Sequence, residues 1–275
     1  MKSSMHSEVL LQEQNVSDAF SQQSIVFDEI DKQNPIIQWM RGKVREHVLS
    51  FWKKGDRILE LNAGTGLDAI FFAEKGFNVY ATDNAQGMLN VLNGKIDQLS
   101  LSSKISTQQC SFSELSMINQ TGVDHIFSNF GGLNCTDKLD EVINSFNRLL
   151  KPGGTVTLVL MPKVCPWELM LALKGNFKVA FRRFKRGGAP SHLEGQNFIT
   201  YYYSTSQVKK MFGKVYSVMS IKGLGVAVPP PYLERFPINH PHLFRGLLSI
   251  ENILADLPPF RSWADHFIIT VRKNG

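Results

Sequence analysis

The residues best suited to chemistry lie in the segment Ile58–Gly66, which reads ILELNAGTG. Its two glycines, Gly64 and Gly66, lack a Cβ atom and let a ligand approach the backbone closely. Glu60, four residues before Gly64, places a carboxylate at the end of a strand, where it could meet an ammonium group. Asp83 follows Gly66 by 17 residues, a position from which a carboxylate can accept hydrogen bonds from both hydroxyls of a ribose.

A dinucleotide-binding fold is the alternative for such a turn. Those folds also place glycines after a strand, usually as GxGxxG, with an acidic residue about 20 residues later. Asp83 is therefore common to both classes. Glu60 is not, because a turn that binds phosphate does not favour a negative charge within it. The two acids together favour a nucleoside ligand that carries an ammonium.

Short apolar runs alternate with helical stripes along residues 57–161 and provide the elements that position these side chains. The predicted strands are 57–61, 78–82, 104–110, 123–130 and 155–161, and the predicted helices 67–75, 85–99 and 137–150. This alternation predicts a Rossmann-like doubly wound α/β fold with a mainly parallel sheet. An antiparallel edge strand and a helix are predicted from the later segments 199–203, 215–221, 243–254 and 267–271.

Residues 56–162 resemble the class I S-adenosylmethionine (SAM) dependent methyltransferases of the small-molecule type. The resemblance is carried by the ExNxGTG turn, by TDNAxxML at 82–89, by VDHIFSNF at 123–130 and by LLKPGG at 149–154. The family usually has glycine where this chain has Asn62, and asparagine is the other residue that best tolerates a left-handed backbone. The resemblance implies an enzyme that binds SAM and releases S-adenosyl-L-homocysteine (SAH).

The resemblance also implies which residues contact SAM. They are Arg41, Glu60, Asn62, Ala63, Gly64 and Gly66 at the methionine part; Asp83 at the ribose; Asn84, Met88, Cys110, Ser111 and Phe112 at the adenine; and Asn129, Phe130 and Gly131 near the sulfonium. Two of them have ordinary alternatives: Asp83 could only cap a helix, and Arg41 could be a surface charge.

The same patterns divide the chain into five segments. Residues 1–17 are expected to be disordered or loosely docked, and 18–54 form an N-terminal helical cap of two or three helices. Residues 55–162 form the SAM-binding Rossmann-like core. Residues 163–198 form a helical insertion on the substrate side, and 199–275 supply the strands and helix that complete the sheet.

The acceptor is predicted from aromatic residues near the expected pocket. They are Trp39, Phe130, Trp167, Phe177, Phe181 and Tyr201–Tyr203, and they favour a small, largely apolar metabolite that is methylated on oxygen. Candidates for a catalytic base are His192, Tyr202 and Tyr203. The alternatives are an exposed loop histidine and tyrosines that pack in a strand.

Two other functions remain open. The first is an RNA or tRNA methyltransferase that uses the basic insertion to contact phosphates. Nucleic acid is nevertheless disfavoured as a partner, since the chain has one basic cluster and no appended RNA-binding module, and Asn129 begins NFGG and not NPP[YF]. The second is a SAM-binding regulator or partner subunit that does not methylate.

The insertion carries two helical stripes. One is apolar, with Met170, Leu173, Phe177, Phe181 and Phe184, and the other is basic, with Lys174, Lys178, Arg182 and Lys185. A helix packed by its phenylalanine face explains the pattern, and so does a lid or a peripheral membrane contact through residues 166–186.

The bulk composition is that of a globular enzyme. The chain has 275 residues, 43% of them apolar and 20% charged, and a net charge of +6. It shows no apolar block of membrane-spanning length and no secretory signal. Its three scattered cysteines fit no zinc spacing and indicate reduced thiols. These features predict a cytoplasmic protein without a metal.

Overall fold

The computed structural model describes residues 2–118 and 120–275, with the side chains described from residue 10 onwards. The α-helices are α1 Lys2–Gln33, α2 Pro35–Leu49, α3 Leu67–Glu74, α4 Gln86–Gln98, α5 Leu139–Leu149, α6 Pro166–Leu169, α7 Phe177–Ala180, α8 Thr205–Phe212, α9 Phe236–Asn239 and α10 Pro241–Leu254. The strands are β1 Arg57–Leu61, β2 Asn78–Asp83, β3 Ile105–Gln109, β4 Val123–Ser128, β5 Leu150–Leu160, β6 Ala189–Leu193, β7 Gln196–Thr200, β8 Tyr216–Leu224 and β9 His266–Lys273. Short 3-10 helices occur at Phe112–Met117, Gly132–Cys135, Met170–Lys174, Arg182–Phe184, Gly213–Val215, Pro231–Leu233 and Phe260–Ser262.

Seven strands form one sheet in the order β3-β2-β1-β4-β5-β9-β8. Strands β1 to β5 pair in parallel, and β9 pairs antiparallel with both β5 and β8. This topology confirms the predicted Rossmann-like fold and its antiparallel addition. The carboxyl ends of β1, β2 and β4 meet at one edge of the sheet, where open α/β sheets bind their ligands.

Strand alternation divides the core between the two faces of the sheet. In β1, Leu59 and Leu61 face one apolar cluster and Ile58 faces the other. Helix α5 covers the first face with a buried apolar stripe that includes Leu139, Val142, Phe146 and Leu149. The sheet is therefore buried on both sides, which is usual for parallel strands connected by helices.

The N-terminal segment differs from the expectation of a loosely docked terminus. Helix α1 runs from Lys2 to Gln33 without a break, and Gln12 pairs with β7 through both backbone groups of Ile199, at 2.8 and 2.9 Å. Residues 10–17 are thus docked because their polar side chains find backbone partners. The predicted break at Asn34-Pro35 is present, with Asn34 capping α2.

Strand β7 also corrects an expectation. The run at 199–203 was expected to complete the main sheet, but β7 ends at Thr200 and pairs antiparallel with β6 as a separate two-stranded sheet. The main sheet is completed by β8 and β9 alone. The β6–β7 hairpin, with Gly195 in a left-handed turn, extends the insertion toward α1.

Candidate functional site

A partly open cavity lies at the carboxyl edge of the sheet, beneath α1. Nine of the fifteen residues expected to contact the cofactor line it: Asn62, Gly64, Asp83, Asn84, Met88, Cys110, Phe112, Asn129 and Phe130. The other six do not line it: Arg41, Glu60, Ala63, Gly66, Ser111 and Gly131. The remaining lining residues are Val16, Ser17, Phe20, Phe27, Ala85, Gly132 and Cys135.

The turn after β1 forms one end of the cavity. Asn62, Gly64 and Gly66 all have left-handed backbones, with φ of 47°, 58° and 80°. Asparagine replaces glycine at low cost here, and its amide gains a role. Asn62 Nδ2 donates to the backbone oxygen of Asn129 at 3.2 Å, while its Oδ1 accepts from Ser128 at 2.8 Å. The turn is thereby fixed to the end of β4.

Asp83 ends β2 and faces the cavity. Its Oδ2 accepts from the backbone nitrogen of Gly64 and its Oδ1 from that of Ala85, both at 2.8 Å. Burial raises the pKa of this carboxyl, and the backbone hydrogen bonds act against that rise. A carboxylate has about four acceptor sites, which is more than these backbone hydrogen bonds occupy. Capping the next helix therefore does not exhaust its hydrogen-bonding capacity.

Glu60 is a buried acid with one carboxyl oxygen that lacks a hydrogen-bond partner. Its Oε2 has no hydrogen-bond partner among the described residues. Burial and the nearby charge of Asp68 raise its pKa well above the ordinary 4.5, against the attraction of Arg41 and Arg45. A carboxylate in such a place favours a cationic partner.

Arg41 is buried and paired, which excludes the interpretation as a surface charge. It donates to Asp68 at 2.6 Å and also pairs with Asp31 of α1. Its guanidinium lies over the ring of Phe130, 4.6 Å from the centroid. Asp68 also accepts from Asn129 at 2.8 Å. Arg41 therefore connects α1 to the floor of the cavity without lining it.

Helix α1 supplies a wall of the cavity that the sequence analysis missed. Val16, Phe20 and Phe27 face inward, and their spacing of four and seven residues places them on one face of a helix. That spacing was the available signal. The helix is held on the loop before α4 by Ser17 Oγ, which donates to the backbone oxygen of Asn84 at 3.0 Å.

Comparison with known proteins agrees with this geometry. A family model described as a methyltransferase domain matches residues 58–154. The ubiquinone/menaquinone biosynthesis C-methyltransferase UbiE of Xanthomonas oryzae is 33% identical over 115 residues, which are 41% of this chain and 45% of that protein. The chain thus spans about half the length of this relative.

Solved structures agree with the fold over most of the chain. The SAM-dependent methyltransferase of Methanosarcina mazei has a TM-score of 0.55 at 15% identity, covering 82% of this chain and 96% of that one. The structure of DhpI in complex with SAH has a TM-score of 0.58 at 13% identity, covering 96% and 98%.

Residues 58–154 thus match a methyltransferase domain, and the fold of most of the chain is similar to that of SAM-dependent methyltransferases. This confirms the family that the sequence motifs indicate, together with SAM as the cofactor of that family.

The three predicted base candidates do not line the cavity. His192 is exposed on β6, where its Nδ1 pairs with Asn197 at 2.9 Å. Tyr202 is buried beneath the guanidinium of Arg183. Tyr203 donates its hydroxyl to the backbone oxygen of Thr136. The structure thus brings none of them to the cavity wall, and their catalytic role stays a sequence prediction.

A cluster of potential metal ligands lies beside the insertion. Atoms of Cys165, Glu168 and Asp265 approach within 4.8 Å of one another. The guanidinium of Arg183 donates to both carboxylates, at 2.7 and 2.8 Å. Arg182 also pairs with Glu168, so two guanidinium groups already balance the two carboxylates, and the donor set does not suit an additional cation.

Proposed function

We propose that this methyltransferase binds SAM in the cavity and transfers its methyl group to a small, largely apolar metabolite that carries a hydroxyl. The observation that carries the proposal is the pair of acids at the ends of adjacent strands. Glu60, near the end of β1, has one buried carboxyl oxygen without a hydrogen-bond partner in the described chain and does not itself line the cavity, and Asp83 lines the cavity at the end of β2. An ammonium and a ribose match these two groups.

The other lining residues suit the remaining parts of SAM. Met88 and Phe112 offer apolar surfaces to an adenine ring. Asn129 and Phe130 follow β4 on the side where the sulfonium would lie. Ser111 was expected at the adenine edge, but its hydroxyl lies against Glu13 of α1, at 2.9 Å. Ser111 therefore supports the α1 wall in this proposal.

SAM supplies an activated methyl group, so the chain must chiefly hold the acceptor in line and exclude water. Val16, Phe20 and Phe27 of α1 form an apolar wall that serves the second purpose. The apolar wall also supports an apolar acceptor. The UbiE relative is named as a C-methyltransferase, and carbon is accordingly the alternative to oxygen as the methylated atom.

The test begins with isothermal titration of the protein with SAM and, separately, with NADH. Micromolar SAM binding that Asp83→Ala abolishes, with no NADH response, supports the cofactor site, whereas NADH binding alone contradicts it. Radiolabelled SAM is then supplied with a panel of alkylphenols, and NMR of the product distinguishes O- from C-methylation. Turnover on bulk tRNA instead supports the RNA alternative. SAM binding without turnover of either acceptor supports the regulator.

We also propose that residues 166–186 contact an anionic membrane surface. A helix packed by its phenylalanine face does not describe this segment, since Phe177 and Phe181 are 61% and 50% exposed. The single predicted helix is divided into short ones, with Gly175 left-handed at a break. Its apolar residues therefore form an exposed patch, which soluble monomers rarely keep without a partner.

The charge of this patch favours an anionic surface. Residues 163–186 contain seven basic residues and one acid, and that acid, Glu168, is buried against Arg182 and Arg183. Lys174, Lys178, Lys185 and Arg186 are exposed and form no salt bridge within the described chain. Basic side chains beside exposed aromatic ones are typical of interfacial membrane binding. No helix in the described ranges could span a bilayer.

Flotation with vesicles tests this contact. Binding is expected to vesicles that contain phosphatidylglycerol and to be lost from vesicles of phosphatidylcholine alone. The double variant Phe177→Glu with Phe181→Glu should abolish it. The matched control is Leu99→Glu with Val215→Glu, which changes two residues that are 50% and 47% exposed. Both lie where the strands begin, at the amino edge of the sheet. This control variant should bind the vesicles normally. Self-association that the first variant abolishes, without lipid binding, would instead indicate a contact between two copies.

A further inference from the structure

Helix α10 carries an apolar stripe that is exposed in the single chain. The inner side of the helix packs on the core through Phe244 and Leu248. The outer side carries large apolar residues that are 46% to 65% exposed: Leu243, Ile250, Ile253 and, just after the last turn, Leu257. Soluble monomers rarely keep such a row of exposed apolar side chains, so the stripe indicates a partner.

The stripe is symmetric about Ile250. Apolar residues or glycine occur three, four and seven residues to either side of it: Leu243, Gly246 and Leu247 before, and Ile253, Leu254 and Leu257 after. Offsets of three, four and seven residues lie on one face of a helix, so the whole set shares a face with Ile250. A contact between two identical copies requires a self-complementary surface. This stripe is self-complementary when a second α10 runs antiparallel to the first.

Gly246 allows a close approach within this face. A Cβ atom on Gly246 would meet no neighbouring segment of the described chain within 4 Å. Packing inside one chain therefore does not require glycine here, and glycine is a poor residue for the interior of a helix. In the antiparallel pair Gly246 lies opposite Leu254 of the second copy. The missing side chain leaves room for that leucine.

The charges of α10 favour an antiparallel pair over a parallel one. Arg245, near the start of the helix, and Asp256, just beyond its end, are 11 residues apart. This is about three turns, so both lie on the same flank of the helix. Both are exposed, and Asp256 pairs with Lys222 at 3.0 Å. Antiparallel helices bring the basic start of each copy beside the acidic end of the other, where a cation is also favoured by the helix dipole. Parallel helices would bring like charges together.

An anionic membrane matches this stripe less well than a second copy does. Residues 241–257 contain one lysine or arginine, Arg245, and two acids, Glu251 and Asp256. A helix that lies on anionic lipid has a polar face rich in lysine and arginine. Residues 163–186 have that character, with seven basic residues and one acid, whereas α10 does not.

We propose that two copies of this chain associate through α10, with the two helices antiparallel and Ile250 at the two-fold axis. In this dimer Leu243 of each copy packs near Leu257 of the other, and Leu247 packs near Ile253. The contact is the same surface on both copies, so it closes at two chains and does not extend into a filament. The proposal depends neither on the cofactor nor on the acceptor.

Sedimentation equilibrium of the full chain tests the association. We expect the wild type to be a dimer at micromolar concentration. Ile250→Glu with Ile253→Glu should raise the dissociation constant of the dimer about 100-fold or more, because it places charges at the centre of an apolar contact. Both residues are exposed in the single chain, so thermal unfolding and SAM affinity should not change.

The control for this variant is Leu99→Glu with Val215→Glu, which changes two residues of similar exposure elsewhere on the surface. It should remain a dimer. A monomeric wild type would overturn the proposal, and so would a dimer that Ile250→Glu with Ile253→Glu leaves intact. Vesicle binding that this variant abolishes, without any self-association of the wild type, would assign the stripe to a membrane instead.

Cysteine cross-linking tests the antiparallel arrangement. The three native cysteines are buried, so a new exposed thiol decides the outcome. Ile250→Cys should form a disulfide with its own counterpart under mild oxidation and give a dimer on a non-reducing gel. Leu243→Cys is the matched control on the same stripe. In the antiparallel pair its two copies are about 20 Å apart along the helices, too far for a disulfide. A disulfide through Leu243→Cys, or none through Ile250→Cys, would refute the proposed pairing.

Discussion

The backbone nitrogen of Gly64 donates a hydrogen bond to Oδ2 of Asp83 across 2.8 Å. This bond joins the turn after β1 to the end of β2, so the two motifs that indicate SAM form one structural unit. Asp83 contributes both to the shape of the glycine turn and to the predicted ribose contact. Its substitution therefore tests both.

Asp83→Asn should weaken SAM binding about 10- to 100-fold, because an amide can no longer accept two ribose hydroxyls in addition to its backbone partners. Burial raises the pKa of Asp83. Only the ionised carboxylate can accept hydrogen bonds with both oxygens. As the pH decreases, the affinity of the wild type for SAM should therefore begin to fall at a higher pH than it would for an aspartate with the ordinary pKa of 3.8. Calorimetric titration from pH 8 to pH 5 measures both effects. If Asp83→Asn bound SAM with wild-type affinity, the ribose would not contact this side chain.

The position of α1 can be tested through two glycines of α4. A Cβ atom on Gly87 would lie 2.5 Å from the backbone oxygen of Ser21 in α1, whereas nothing lies within 4 Å of one on Gly94. Gly87→Ala must therefore push α1 away. We expect it to lower the free energy of unfolding by about 1–3 kcal/mol and to weaken SAM binding, because Phe20 and Phe27 move with the helix.

Gly94→Ala is the matched control on the same helix. It should raise the free energy of unfolding by about 0.5–1 kcal/mol, since alanine restricts the unfolded chain and favours the helix. Its SAM affinity should equal that of the wild type. Thermal unfolding and calorimetry of both variants measure these changes. Equal SAM affinity in the two variants would show that α1 does not form the wall of the binding site.

The sequence predicted the core because local signals there agree with the tertiary structure. The turn at Ile58–Gly66 combines an apolar strand with residues that accept a left-handed backbone, and α5 carries a complete apolar stripe. Neither signal depends on a distant partner. Nine predicted residues, including Asn62 and Asp83, consequently line one cavity.

The missed features depend on contacts between distant segments. Gln12 docks on β7, 187 residues away, and a glutamine carries no local sign of such a partner. Arg183 likewise pairs with Asp265, 82 residues later in the chain. Periodicity in a single segment cannot reveal these pairings, because it reports only which face of an element is apolar.

Glu251 supports the loop after β8 with one buried carboxylate. Its Oε1 accepts from the backbone nitrogens of Gly225 and Val226 and its Oε2 from those of Ala227 and Val228, at 2.6 to 3.1 Å. Glu251→Gln turns an amide donor toward two of these donors. We expect a loss of about 2–4 kcal/mol in the free energy of unfolding, measured by urea denaturation.

The same change at an exposed helical position provides the control for Glu251. Glu46 is exposed and pairs with Lys43 at 3.1 Å on the surface of α2. Glu46→Gln should alter the free energy of unfolding by less than about 0.5 kcal/mol. If both variants were equally stable, the carboxylate of Glu251 would not be holding the loop.

The buried carboxyl group of Glu60, with one oxygen that lacks a hydrogen-bond partner in the described chain, should make opposite contributions to stability and to binding. Its pKa is raised in the folded chain by burial and by Asp68, so above the ordinary value of 4.5 the unfolded chain releases this proton more readily than the folded one. Stability of the SAM-free protein therefore decreases as the pH rises from about 4.5 through the raised folded pKa. Glu60→Gln removes this cost.

The variant should accordingly unfold at a higher temperature than the wild type at pH 8, and the difference should vanish toward pH 4. Its affinity for SAM should nevertheless fall, because the ammonium loses its carboxylate partner. Thermal unfolding across this pH range, with and without SAM, measures both effects. If Glu60→Gln were less stable than the wild type at pH 8, Arg41 or a bound water would already be the partner of Glu60 within the protein. Its carboxylate would then not be available to a cationic ligand.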